Sequence, residues 1–152
     1  MQPFNPILKM RRIRDHVVAA KVYLYNPPVT LENESILPEV AYSQTGWVLS
    51  PEQVDSAIQI LTQKLPDYPT DITWCFIPRH LIVFFDKDGG VLGFVKICFQ
   101  CSNYMVFPNA PVEGNNIKYF RSIMDELEIP IFSDDEAYVA FLADKNQEKL
   151  LA

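Results

Sequence analysis

The sequence predicts an α+β domain: an antiparallel sheet of three to five strands, centred on a hairpin from Arg79 to Cys101, with about three helices packed on one face. Three observations support that fold class. His16–Tyr25 alternates in the strand period. Two apolar runs flank the turn Asp86-Lys87-Asp88-Gly89. Helix-start signals at Ser50 and Ser133 are each followed by apolar residues at helical spacing.

Ahead of the first strand, Lys9, Arg11, Arg12 and Arg14 face only Asp15, so residues 1–15 read as a loosely ordered basic segment. The 152 residues otherwise read as a single domain, a size that builds a core without covalent staples. In the first strand, Val18, Ala20, Val22 and Leu24 fall on one face, with Lys21, Tyr23 and Tyr25 on the other. Asn26-Pro27-Pro28 ends it, because neither proline donates to a ladder. Residues 29–46 show no clear period, apart from a short strand expected at Glu39–Ser43.

Ser50-Pro51-Glu52-Gln53 is a capping box with proline at the first helical position. Val54, Ala57, Ile58, Leu61 and Leu65 continue at helical spacing until Pro66. The polar side of this helix (Asp55, Gln59, Gln63) holds no chemical cluster, so it reads as a packing helix.

The hairpin turn suits a type I turn followed by a left-handed glycine, the three-residue loop with a G1 bulge. That geometry sets Asp86 opposite Gly90, and an unbroken ladder then pairs Phe84 with Leu92, Ile82 with Phe94 and His80 with Lys96. Leu81, Val83 and Phe85 would share the helix-facing side with Val91, Val95, Ile97 and Phe99. Tyr104–Phe107 adds or continues a strand. Asn115 or Asn116 caps a second helix with the stripe Ile117, Phe120, Met124 and Leu127, bounded by Pro130. Ser133-Asp134-Asp135-Glu136 is a further capping box, opening a helix that packs with Tyr138, Phe141 and Leu142.

Cys75, His80, Cys98 and Cys101 contain the donor set of a Cys3His zinc site, including one CxxC. In the unbroken register Cys75 lies opposite Cys101 on one face, while Cys98 lies diagonal to His80 on the other. The four therefore meet one metal only if the ladder is distorted near Pro78 or Cys101. Three other uses stay open: buried thiols acting as small hydrophobes, a Cys75–Cys101 disulfide, or a thiol at Cys98 activated by His80. No G-x-G-x-x-G, P-loop, H-E-x-x-H or G-x-S-x-G motif is present, so nothing points to a catalytic residue.

The run Pro78-Arg79-His80-Leu81-Ile82-Val83-Phe84-Phe85-Asp86, then Gly89, then Ile97-Cys98-Phe99-Gln100-Cys101 resembles small uncharacterised proteins of Bacteroidota-type bacteria. In them a PRH–VFYD strand leads through a glycine turn to an ICFxC strand. Phe85 stands where that pattern has tyrosine. The resemblance covers the hairpin alone and brings no activity. It implies that His80, Cys98 and Cys101 are a family feature.

The formal net charge of −6 is concentrated late in the chain, at Asp125, Glu126, Glu128, Asp134, Asp135, Glu136, Asp144 and Glu148. Phosphate contacts need a basic footprint, so nucleic acid is not the expected partner. No run approaches the ~20 apolar residues of a membrane span, and Met1–Ile13 lacks the apolar core of a signal peptide. The expectation is a cytoplasmic, non-catalytic binding module, such as an immunity or inhibitor protein, whose acidic surface covers a basic protein and needs no cofactor. The alternative is a zinc-binding or thiol-based protein using Cys75, His80, Cys98 and Cys101.

Overall fold

A computed structural model describes residues 13–24, 46–62, 79–99, 103–107, 117–132, 134, 136–141 and 143–144. The expected strand at Glu39–Ser43, the cap at Asn115 or Asn116, and Leu142 lie outside the described residues. The strands are β1 (Ala19–Leu24), β2 (Trp47–Val48), β3 (His80–Phe85), β4 (Val91–Cys98) and β5 (Asn103–Phe107). The helices α1 (Pro51–Thr62) and α2 (Ile117–Glu126) follow β2 and β5. A helical turn at 13–16 and a helical segment from 136 flank them. One five-stranded sheet runs in the order β2-β1-β3-β4-β5, with every neighbouring pair antiparallel. The predicted α+β class is therefore found, with the hairpin at the middle of its sheet.

The turn forms as its residues dictate. Gly89 N–H donates to Asp86 O (3.1 Å) and Asp86 N–H donates to Gly90 O (2.9 Å). The Asp86 carboxylate accepts from the N–H groups of Asp88 (2.9 Å) and Gly90 (2.8 Å), and Gly89 takes φ 80°. Beyond it the ladder departs from the unbroken register. Phe85 pairs with Val91 but Phe84 pairs with Gly93, so Leu92 is an extra residue on β4. From there inward each pair is displaced by one: Ile82 faces Val95, Leu81 faces Lys96 and His80 faces Ile97. A one-residue slip exchanges the faces of a strand, and an interior glycine commonly accompanies such a bulge.

The bulge exchanges the faces of half the hairpin. Val95, Ile97 and Phe99 face the helices as expected, but their partners are Ile82 and Phe84. Leu81 and Val83 instead join Tyr23 and Phe94 in a second buried cluster on the opposite face. In β1 the expected alternation holds for Ala20, Val22 and Leu24 in the helix-side core and Tyr23 across the sheet, whereas Val18 precedes the strand and is exposed. Ile13, inside the segment read as loosely ordered, is buried in that same core.

Helix α1 starts on a reciprocal capping box: Ser50 N–H donates to Gln53 Oε1 (2.8 Å), and Gln53 N–H donates to Ser50 Oγ (3.2 Å). Just before β2, Gly46 has φ 67°, and a Cβ there would lie 2.8 Å from Tyr23 Cε1. The later cap sits one residue downstream of the expected one. Asp134 Oδ1 accepts from Ala137 N–H (2.8 Å), which makes Asp134 the N-cap of the segment carrying Tyr138 and Phe141.

Helix α2 ends in a Schellman motif. Ile129 N–H reaches back to Met124 O (2.9 Å), and Glu128 N–H to Asp125 O (3.1 Å). The left-handed residue this requires is Glu128, at φ 57°, where glycine is usual. Glu128→Gly is expected to raise folding stability by about 0.5–1 kcal/mol, the relieved Cβ strain less the added chain entropy. A urea-unfolding midpoint that falls would instead assign a stabilising contact to the Glu128 side chain.

Candidate functional site

His80 opens β3 on the helix-facing side, only 2% exposed. A carbonyl only accepts, so the 2.9 Å contact between Nε2 and Pro130 O assigns the imidazole proton to Nε2. The Phe99 ring meets the imidazole edge-on at 4.8 Å, and Phe132 lies tilted at 6.0 Å. Burial, opposed by the Pro130 hydrogen bond and reinforced by the Arg79 charge, lowers its pKa to about 4. At neutral pH the ring is uncharged, and it fastens the segment after α2 to the sheet. The Arg79 guanidinium carbon lies 5.2 Å from the Tyr138 ring centroid, a second tie to the helical segment from 136.

Cys98 is also buried, 1% exposed, and is a thiol rather than half of a disulfide. Its neighbours Ile97 and Phe99 are in the helix-side core, so Cys98 leaves β4 on the opposite face. The expected diagonal contact between His80 and Cys98 does not form, because the bulge at Leu92 slips β4 by one residue. Cys75 and Cys101 lie outside the described residues. Among the described residues, no group of three or more His, Cys, Asp and Glu side chains is placed to hold a metal ion.

The exposed carboxylates gather elsewhere. Asp125, Glu126, Glu128, Asp134, Glu136 and Asp144 are all exposed. Asp125 and Glu126 occupy the last turn of α2, which contains no basic residue. The helix dipole favours cations there, so those carboxylates oppose it. With Glu128 in the left-handed region, one helix end sets aside local preference at three nearby positions. Departures of this kind concentrate at functional sites.

The chain matches no known family model, curated protein or solved structure.

Beside the acidic helix end, α1 and α2 enclose a cleft of about 240 Å³ lined by Gln53, Ser56, Gln59, Ile60, Tyr119, Ser122, Ile123 and Glu126. Gln53 Nε2 donates to Glu126 Oε2 (2.9 Å), so the residue that completes the α1 cap also links the two helices. Of the α1 polar side read from sequence as holding no chemical cluster, Gln59 lines one wall, beside Gln53, Ser56 and Ile60. Tyr119, Ser122, Ile123 and Glu126 recur at i, i+3, i+4 and i+7, which marks one face of α2. That pattern is visible in the sequence, but the facing helix is not. Among the described residues, no helix is long and apolar enough to cross a membrane.

Proposed function

We propose that this chain is a non-catalytic protein-binding domain that covers a basic partner with its acidic surface, in the manner of an immunity or inhibitor protein. The observation that carries the proposal is the C-terminal end of α2. Asp125, Glu126 and Glu128 are exposed there against the helix dipole, and Glu128 holds a strained backbone conformation. A basic surface laid on that end would relieve the repulsion and gain steering over several ångströms. His80 supports the same reading, since its imidazole is buried, neutral and committed to Pro130.

Affinity capture from the source cells with the native chain and with Asp125→Lys/Glu126→Lys/Glu128→Lys tests this. The native chain is expected to retain a basic protein that the charge-reversed chain releases. Raising ionic strength should release it as well, because exposed charges are screened within about 10 Å at 0.1 M salt. Equal retention by both chains would sink the proposal. The zinc-binding alternative must gather two side chains that leave the sheet on opposite faces, His80 and Cys98. One zinc per chain by elemental analysis would favour it.

A further inference from the structure

We propose that the cleft between α1 and α2 seats a single arginine side chain of the basic partner. The inference rests on the binding role proposed above and supplies the contact chemistry. At about 240 Å³ the cleft is smaller than the roughly 300–1,000 Å³ of small-molecule pockets, a size that suits one side chain. Ile60 and Ile123, both buried, form apolar walls against which an aliphatic stem can lie.

The head group is specified by charge. Glu126 is the one ionisable carboxylate among the lining residues, and Gln53 Nε2 holds its Oε2, leaving Oε1 to accept from a ligand. No cation is among the lining residues to offset that charge for an anionic occupant, and an apolar one would strip its water. Tyr119 is 40% exposed, and the Lys118 ammonium already lies 5.0 Å from its ring centroid, so the ring accepts a cation. A planar guanidinium can stack on such a ring while donating to a carboxylate, which a compact ammonium cannot do as well. Asp125 and Glu128, exposed at the same helix end, add to the attracting field.

The test titrates the ¹⁵N-labelled full chain with N-acetyl-arginine methylamide, its neutral citrulline counterpart, and a nona-arginine peptide, following amide shifts by NMR. The arginine probe is expected to move the amides of Gln53, Ile60, Tyr119 and Ile123, with citrulline binding markedly weaker. Glu126→Gln, an exposed change, should keep a dispersed spectrum and weaken binding roughly 1.5- to fivefold, the range of an exposed ion pair. Ser56→Trp should fill the cleft and abolish these shifts. Equal binding of citrulline would overturn guanidinium recognition. Nona-arginine shifts confined to residues 134–144, with the cleft silent, would overturn the cleft while leaving the acidic-surface role standing. No shift with any arginine probe would overturn both.

Discussion

Truncating Phe120 to alanine is expected to cost about 3–5 kcal/mol of folding stability, the range for deleting a fully buried aromatic ring. Phe120 is 0% exposed and belongs to the helix-side core. Its ring meets Tyr104 of β5 at 5.1 Å in a T-shaped contact, so it couples α2 to the edge of the sheet that follows the hairpin. A domain of this size has a total stability on the order of 5–15 kcal/mol. The variant should therefore lie near the limit of folding, with its urea midpoint displaced strongly downward. Phe120→Leu fills most of the space and should lose far less. If alanine costs under about 1 kcal/mol, α2 is not seated on the sheet through this residue.

Acidification is the second large effect, and its sign follows from His80. The imidazole titrates at its ordinary 6.5 in the unfolded chain and at about 4 in the folded one. On lowering the pH the unfolded chain takes up the proton first, so stability falls. The contribution is fully present above pH 6.5 and is lost progressively down to about pH 4. Between pH 7 and pH 5 the loss amounts to about 2 kcal/mol. His80→Gln keeps a donor for Pro130 O but cannot titrate. Urea-unfolding curves of the two proteins over this interval should differ in slope against pH, with the variant nearly flat. Parallel slopes would mean that the imidazole is not held neutral.

Both effects concern the face of the sheet that the helices cover, and the second depends on the bulge at Leu92. With the unbroken register His80 would stand opposite Lys96 and share a face with Cys98. With the bulge it stands opposite Ile97, beneath Pro130 and Phe132, with Cys98 across the sheet. One residue thus separates a paired cysteine and histidine from a histidine used as a packing tie. The type of turn was legible because Asp86 and Gly89 act locally, through an aspartate turn and a left-handed glycine. The bulge was not. It lies where Phe84 faces Gly93, leaving Leu92 as the extra residue on β4.

The cleft divides in the same way. The Ser50–Gln53 capping box and the periodic face of α2 can be read from a few adjacent residues. The reach of Gln53 to Glu126, separated by 73 positions, cannot.

Legible in the sequence were the α+β class, the hairpin at its centre, the start of α1, the start of the helical segment from 136 to within a residue, and the acidity of the late segment. Each rests on interactions between residues close in the chain, where period, caps and turn chemistry act without knowledge of the rest. It took the tertiary packing to decide which face of β3 meets the helices, that β1 inserts beside β3, and that Gln53 of α1 meets Glu126 of α2. Those outcomes come from packing between distant segments, in which many side chains compete for one buried volume and a single extra residue redirects a strand.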